Sequence, residues 1–390
     1  MTNRVSKCNA RRILGLAMIL VGITCGVAQF ARGSAYVAAA SQSSTIAVSA
    51  AADMPRIENA KVETRPVAGT LESTFRGIAA QADRPEWIGY SVEQIAGEHS
   101  VCCGNYNSDG FCGTCRLERE HNENGGASFA PGTLNLEGPR QLVVLFRLET
   151  KKTTRIRVAS QNCTLDAGGL PFLWLTGVKP AESVALLETY VRGADFDDRG
   201  DRSLGHGALT AIALHADVSA DRAFESFVKP DQPEHLRRQA AFWLGAARGK
   251  SGLLVLQQMA KSDPSSEVRA HVAFALSVSH ESGALEEMIR MAHDDTSSHV
   301  RGQALFWLAQ KAGKKAVGTI TGAIENDPDT DVKEKAVFAL SQLPKDEGVP
   351  KLIEVAQTNR NPAVRKKAMF WLGQSNDPRA LAFFEKVLTQ

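Results

Sequence analysis

The sequence of 390 residues lacks an excess of charge of either sign. It contains 45 Lys and Arg residues against 43 Asp and Glu residues, so its formal net charge is +2. The first 52 residues hold five of the cations and no anion, which leaves a formal charge of −3 on the rest of the chain. A general nucleic-acid-binding protein usually has a strong basic excess, and the composition argues against that class.

Long apolar runs and common catalytic motifs are also missing after the N-terminal segment. No apolar stretch there approaches the roughly 18 residues that a membrane-spanning helix needs. The nucleophile motif GxSxG, the phosphate-binding motif GxxxxGK[ST] and the zinc motif HExxH are all absent. We therefore expect a protein that is not an enzyme, needs no cofactor and has no membrane span in its mature form.

The N-terminal segment is typical of an export signal. Basic residues up to Arg12 precede an apolar run from Ile13 to Ile23, which is too short to span a membrane comfortably. Ala28 and Ala40 are candidate cleavage sites. We predict a signal peptide at residues 1–28, a flexible Ala/Ser-rich linker at residues 29–55, and a periplasmic or secreted protein.

A 32-residue period organises the C-terminal half. An apolar residue followed by a basic one recurs without insertion, and the basic residues are Arg237, Arg269, Arg301, Lys333 and Arg365. Five positions after each basic residue stands Phe242, Phe274, Phe306, Phe338 or Phe370. Six positions before each basic residue stands Asp231, Asp263, Asp295, Asp327 or Asn359. A further set of apolar columns at helical spacing lies between these units, so each unit consists of two helices. Stacked units bury the apolar faces that a single unit leaves exposed.

These columns resemble the HEAT repeats, in particular the phycobilisome-lyase-like HEAT subtype of bacteria. Val268-Arg269 and Phe274-Ala275-Leu276, with their copies, carry the resemblance. It implies a mainly α fold, with a solenoid of about six helix pairs over residues 179–390 whose second helices line a concave surface. It also implies that the Asp and Arg columns form a ladder of hydrogen bonds between neighbouring repeats, weakened where Lys333 and Asn359 depart from the pattern.

The Phe column lies on the polar side of the second helix. On a helical wheel Phe274 falls almost opposite Val268 and Val272, which belong to the buried face. Each Phe either packs sideways against the next repeat or presents an apolar anchor to a protein or peptide partner. Tryptophan follows the Phe in alternate units, with alanine between them, which predicts packing of a large residue against a small one. The residues of this alternating column are Trp243, Ala275, Trp307, Ala339 and Trp371.

Residues 56–178 lack the 32-residue period, and we predict a small β-rich domain there. Two β-rich runs at residues 142–148 and 153–158 predict a hairpin. All five cysteines that follow the leader lie in this segment: Cys102, Cys103, Cys112, Cys115 and Cys163. Disulfides are favoured in an exported, loop-rich module. A zinc site and a redox-active pair of Cys112 and Cys115 are the alternatives.

Together these patterns predict an exported, non-catalytic scaffold that binds a protein or peptide partner on the concave face of the solenoid. The β-rich domain would cover the first repeat or add a binding surface of its own. The alternative is a redox or metal-handling envelope protein, in which Cys102, Cys103, Cys112 and Cys115 do the chemistry and the repeats recruit clients. The oligomeric state does not follow from the sequence.

Overall fold

The computed structural model describes residues 54–97, 100–102, 105–107, 114–119, 140–194 and 199–389, without the side chains at positions 100, 102, 105–107 and 199–203. The predicted signal peptide, most of the predicted linker, Cys103, Cys112 and the side chain of Cys102 lie outside this description. Within it, no helix is both long and apolar enough to cross a membrane.

The N-terminal region contains a five-stranded mixed sheet. In spatial order its strands are β2 (Val62–Pro66), β10 (Phe172–Thr176), β3 (Glu86–Glu93), β7 (Gln141–Glu149) and β8 (Lys152–Ser160). β10 pairs in parallel with both β2 and β3, whereas β7 pairs antiparallel with both β3 and β8. The predicted hairpin is formed by β7 and β8. Its turn residues Thr150 and Lys151 have positive φ values of 49° and 63°, which suit the twist of a two-residue hairpin.

Smaller elements surround this sheet. A parallel three-stranded sheet has the order β1 (Ile57–Glu58), β9 (Thr164–Asp166) and β6 (Thr114–Arg116), and β4 (Ser100–Cys102) pairs with β5 (Asn105–Asn107). Helix α1 (Leu71–Ala79) begins at Thr70, whose hydroxyl accepts a hydrogen bond from the Ser73 amide. The α1 residue Phe75 packs edge-on against Phe146 of β7, with ring centroids 4.8 Å apart. Helix α1 was not predicted from the sequence.

Six helix pairs and one final helix follow the strands in the described part of the chain. The pairs are α2 (Pro180–Gly193) with α3 (Arg199–Leu214), α4 (Val218–Phe227) with α5 (Glu234–Ala247), α6 (Gly249–Ser262) with α7 (Ser266–Val278), α8 (Gly283–Asp294) with α9 (Ser298–Ala312), α10 (Val317–Asn326) with α11 (Thr330–Ser341), and α12 (Lys345–Thr358) with α13 (Pro362–Gln374). Helix α14 (Pro378–Leu388) comes last, and a 3-10 turn (Gly313–Ala316) precedes α10. The predicted mainly α fold, with its N-terminal strands, is confirmed.

The repeated helices form two rows of different spacing. We call α5, α7, α9, α11 and α13 the inner row, because each of them packs closely against the next. The alternate helices, such as α6 and α8, contact each other only sparsely. The inner row is therefore the closely spaced side of the array, and it carries the Phe column.

One hydrophobic core connects the sheet to the repeats. β8 packs along α3. A set of buried hydrogen bonds also connects the sheet to the first helix pair. The hydroxyl of Ser183 on α2 hydrogen-bonds Tyr90 of β3 at 2.8 Å and Nε2 of His215, which follows α3, at 2.9 Å. Burial lowers the pKa of His215 to about 4, so its imidazole is neutral at neutral pH. The sheet thus covers the apolar flank that the first helix pair would otherwise expose.

Candidate functional site

Three ion pairs of the same geometry join successive repeats. Nε and Nη2 of Arg237 on α5 donate to the two carboxylate oxygens of Asp263, which follows α6, at 2.9 and 3.1 Å. The same pairing recurs, with distances of 2.7–2.9 Å, between Arg269 and Asp295 and between Arg301 and Asp327. The first pair is almost fully buried, since its Arg and Asp side chains are 4% and 1% exposed. Such bidentate pairs add geometric specificity as well as energy, so they hold each inner helix at a set distance from the next repeat.

Each member of a pair makes a second contact within its own repeat. The third guanidinium nitrogen of Arg269 donates to the carbonyl oxygen of Asp263 at 2.9 Å, and the Asp263 carboxylate accepts the Ser265 amide at 2.9 Å. The Asp side chain therefore shapes the turn before the inner helix and also receives the Arg of the preceding repeat. The resulting scaffold is rigid across both the turn and the joint.

The ladder is interrupted at the joint between α11 and α13. Lys333 does not reach Asn359; its Nζ donates instead to the carbonyl oxygen of Glu325 at 2.8 Å. The Asn359 side chain keeps only the turn contact, accepting the Asn361 amide at 2.9 Å. A cavity of about 570 Å³ opens here, with Lys333 and Asn359 in its lining. Lys333 and Asn359 thus do not form the contact that a guanidinium and a carboxylate make at the regular joints.

Both ends of the Arg and Asp columns also differ from the sequence-based expectation. Asp231 is exposed and forms no ion pair with an Arg among the described side chains, because the corresponding position of the preceding unit is Gly205. Arg365 donates to the carbonyl oxygens of Asn359 and Arg360 at 2.8 and 3.1 Å, and it meets no carboxylate among the described residues. The predicted ladder role of Asp231, Lys333 and Asn359 is therefore wrong. Arg365 makes the contact to the turn carbonyls but not the ion pair.

Eight aromatic rings of the inner row form an unbroken series of contacts, which we call the aromatic stripe. In order of contact they are Trp243, Phe242, Phe274, Trp307, Phe306, Phe338, Trp371 and Phe370. Successive ring centroids lie 4.7–5.9 Å apart. Aromatic pairs at such distances contribute about 0.5–1.5 kcal/mol each beyond the burial of their surface. The stripe therefore stabilises the joints between repeats.

The stripe has a period of two repeats. Phe242 and Phe274 stack with an interplanar angle of 15°, and Phe306 and Phe338 stack with an angle of 4°. Trp307 fills the interval between these stacked pairs and contacts a ring on either side. This arrangement explains why Trp alternates with Ala along the column: a bulky ring is needed only at every second joint.

The rings of the stripe are not fully buried. Phe242, Phe274, Phe306 and Phe338 are half-buried, and Phe370 is 54% exposed. The sideways packing predicted for the column is thus present, and part of each ring remains exposed at the surface of the inner row. Polar side chains flank the rings, among them Gln303 and Lys335, so the apolar edges form a narrow band on a polar face.

Two ring nitrogens along the stripe are buried without a hydrogen-bond partner. They are Nε2 of His271, whose ring contacts Phe274 at 5.4 Å, and Nε1 of Trp371. Burial and the neighbouring cation Arg238 lower the pKa of His271, which favours its neutral form. Trp371 also lines a cavity of about 220 Å³ together with Gln342. Buried polar atoms without partners are uncommon, so both are places where a bound group would gain a hydrogen bond.

A buried Arg that sequence reasoning missed holds the first repeats together. Arg248, between α5 and α6, donates to the carbonyl oxygens of Ala213 and His215 at 3.2 and 2.6 Å, and its Nε donates to Asp221 of α4 at 3.0 Å. It is 4% exposed. Arg248 belongs to no column of the 32-residue period, and the sequence therefore contains no periodic signal for it.

Two of the predicted disulfide cysteines lie in a separate small core beneath the sheet. Cys115 on β6 and Cys163 before β9 are buried there with Trp87, and both are disulfide-bonded. The other three cysteines fall outside the described side chains, so the complete pairing stays a prediction. Within the described residues no group of three or more His, Cys, Asp and Glu side chains is placed to hold a metal ion.

The family model for HEAT repeats matches residues 222–312 and 314–390 of the chain. The matched residues include α5 to α14, so this part of the helical region resembles HEAT repeats. No curated protein matches the chain. Solved structures with similar regions include human deoxyhypusine hydroxylase in complex with glycerol, at 16% identity over 53% of this chain and 90% of that chain, with a TM-score of 0.28.

Two further solved structures resemble parts of the chain. The complex of CpcE and CpcF of phycocyanin lyase from Nostoc matches at 19% identity over 53% of this chain and 80% of that chain, with a TM-score of 0.27. A mutant of Kap121p matches at 13% identity over 50% of this chain and 25% of that chain, with a TM-score of 0.31. All three TM-scores lie below 0.5, so no function of this HEAT-repeat region follows from these structures.

Proposed function

We propose that this protein is an exported, non-catalytic scaffold whose HEAT repeats bind a protein or peptide partner along the aromatic stripe. The observation that supports the proposal is the unbroken series of half-exposed rings on the inner row, on a face that is otherwise polar. An aromatic edge offers a partner a large apolar contact at little cost in conformational entropy, because the rings are already held by their neighbours.

The regular spacing of the stripe favours an elongated partner. Each of the five helices of the inner row supplies one Phe, so a chain lying along this row would meet an apolar contact at every one of these repeats. The Arg and Asp ladder keeps these contacts at set distances between α5 and α11, which reduces the ordering that binding must impose. The unpartnered Nε1–H of Trp371 would donate a hydrogen bond to a backbone carbonyl oxygen of the partner.

The redox or metal-handling alternative has less support. Cys115 and Cys163 are both buried in an apolar core and already disulfide-bonded. Reactive cysteines are usually partly exposed and lie in electropositive surroundings. We therefore assign these two cysteines a structural role in our proposal.

The proposal is tested with two matched double variants. Phe306→Ser with Phe338→Ser removes the central stacked pair of the stripe, and Val218→Ser with Leu254→Ser removes two apolar side chains that are 58% and 67% exposed away from it. Each variant and the wild type is used to capture partners from a cell-envelope extract, and affinities are then measured with the purified partner. We expect the stripe variant to lose at least about tenfold in affinity and the control to keep wild-type affinity.

Folding is checked in parallel, because the stripe also packs the joints. Circular dichroism at the binding temperature must show that the stripe variant is folded. If it is unfolded, the milder double variant Phe306→Leu with Phe338→Leu replaces it in the binding measurement. Equal binding by stripe and control variants contradicts the proposed site. Export is tested separately by the N-terminal sequence of the protein isolated from cells, which we expect to start after Ala28 or Ala40.

A further inference from the structure

Carbonyl groups at the end of a helix bind a cation at two joints of the array. At the end of α7, the Nζ of Lys311 on α9 donates to the carbonyl oxygens of Ser277 and Ser279 at 2.9 and 2.5 Å. At the end of α3, Arg248 donates in the same way to the two carbonyl oxygens that stand two repeats earlier in the sequence. The last carbonyls of a helix lack partners within the helix and carry a partial negative charge, so a cation is stabilised there.

The same turn returns two repeats later, at the end of α11. The Leu343 amide donates to the carbonyl oxygen of Leu340 at 3.3 Å, and the corresponding bond after α7 has the same length. The residue in the place of Lys311 is Ser375, whose hydroxyl donates to a carbonyl oxygen of its own helix at 2.7 Å. Within the described residues, no side chain donates to the carbonyl oxygens of Ser341 and Leu343, which correspond to the two that Lys311 binds.

A cavity of about 220 Å³ lies at this place, between α11, α12 and α13. Val349 and Leu352 of α12 give it a buried apolar wall, and the exposed Gln342 and Gln374 line it as well. Lys345 is the one charged residue of the lining, and it is exposed. An apolar wall beside two carbonyl oxygens suits a group that has an aliphatic chain and a cationic end.

Lys311 shows that such a place binds an ammonium group without the help of an anion. Its ammonium group donates to the two carbonyl oxygens, and no carboxylate in the described part of the chain pairs with it. Burial lowers the pKa of Lys311 from its ordinary value of 10.5, which is the effect expected for a cation that is partly removed from water. The carbonyl pair is therefore a sufficient receptor for a lysine.

We propose that the cavity beside Ser341 and Leu343, which we call the ammonium pocket, binds a primary ammonium group at the end of an unbranched aliphatic chain. A lysine side chain of another protein and a free alkylamine share this chemistry. The ammonium group would donate to the two carbonyl oxygens, and the aliphatic chain would lie against Val349 and Leu352. Trp371 lines the pocket and also belongs to the aromatic stripe, but the inference rests on the repeated carbonyl contact and not on the proposed function.

The test follows the indole N–H resonance of Trp371 in the full chain by NMR, with Trp371→Phe to assign it. The probe is n-butylammonium, which has the atoms of a lysine side chain. We expect a saturable shift with a dissociation constant on the order of millimolar, because the ligand has few atoms. The uncharged analogue n-butanol should bind at least about tenfold more weakly, since hydrogen bonds from a charged donor are stronger.

A second probe distinguishes the two sources of the ammonium group. Nα-acetyl-lysine N-methylamide presents the same side chain on a peptide backbone. If the pocket receives a lysine of another protein, this probe should bind at least as tightly as n-butylammonium. Binding of n-butylammonium alone would assign the pocket to free alkylamines.

Two reciprocal variants test the origin of the pocket. Ser375→Lys introduces the residue that α9 has at the equivalent position, and its side chain should fill the pocket and weaken n-butylammonium binding at least about tenfold. Lys311→Ser makes the reverse change and should create a second site, which the indole resonance of Trp307 reports. The matched control Lys261→Ser, at an exposed position of α6, should create no site.

Four results would overturn the inference. They are the absence of a saturable shift of the Trp371 resonance, equal binding of n-butylammonium and n-butanol, unchanged binding by the Ser375→Lys variant, and no response of Trp307 in the Lys311→Ser variant. Circular dichroism checks that each variant is folded. If Ser375→Lys is unfolded, Ser375→Met replaces it, because its uncharged side chain would occupy the same space.

Discussion

The buried ion pair between Arg237 and Asp263 yields the sharpest prediction. Asp263→Asn preserves the size of the side chain and the oxygen that accepts the Ser265 amide, just as Asn359 accepts the Asn361 amide at 2.9 Å. What it removes is the charge opposite a guanidinium that is 4% exposed. Removing one partner of a buried pair costs about 3–5 kcal/mol, since the remaining charge stays out of water without compensation.

The matched control for this change lies in the same column. Asp231 is exposed and pairs with no Arg in the described part of the chain, so we expect Asp231→Asn to change the free energy of unfolding by less than about 0.5 kcal/mol. Both variants are unfolded in urea and followed by far-UV circular dichroism. Hydrogen exchange of α5 to α7 locates the loss, because repeat arrays do not always unfold in one step. Equal stability of the two variants would refute the view that the ion pair joins the repeats.

The natural interruption of the ladder allows the opposite experiment. Lys333→Arg combined with Asn359→Asp rebuilds the regular pair beside the cavity of about 570 Å³. We expect the double variant to be about 1–2 kcal/mol more stable than the wild type, and more stable than the sum of the single changes, because each new group needs the other. A double-mutant cycle of thermal denaturation measures this coupling. Strict additivity would mean that the rebuilt side chains do not pair.

Two other predictions concern the junction with the sheet and the packing of the inner row. His215 has a pKa lowered to about 4 from the 6.5 of the unfolded chain, so between these pH values only the unfolded state binds its proton. As the pH falls through that window the protein should lose about 3 kcal/mol of stability that His215→Gln does not lose, as measured by urea titrations at several pH values. Gly245→Ala should destabilise by about 1–3 kcal/mol, because its Cβ would overlap the carbonyl oxygen of Ala275 on the adjacent inner helix. Gly373→Ala, where nothing lies within 4 Å, should be neutral or slightly stabilising in the same melts.

Much of the helical region could be predicted because its signals are local and repeated. The columns around Val268 and Phe274 return every 32 residues, and their helical spacing alone indicates two helices per unit. The hairpin of β7 and β8 could also be predicted, because its two runs are adjacent in the sequence. The other strand pairings could not be predicted. β3 pairs with β7 across about fifty residues, and β10 lies between β2 and β3 although it comes from the far end of the region. No local pattern encodes pairing between such distant segments.

The sequence by itself determined the repeat, its two helices per unit and the identity of the columns. These follow from residue spacing, which the helix converts directly into a face. Only the tertiary structure decided what the columns do. It joined Arg237 to the Asp of the next repeat, left Asp231 outside the ladder, and joined the Phe and Trp columns into one series of rings. Such contacts depend on the distance and angle between successive repeats, and these are set by packing over the whole array.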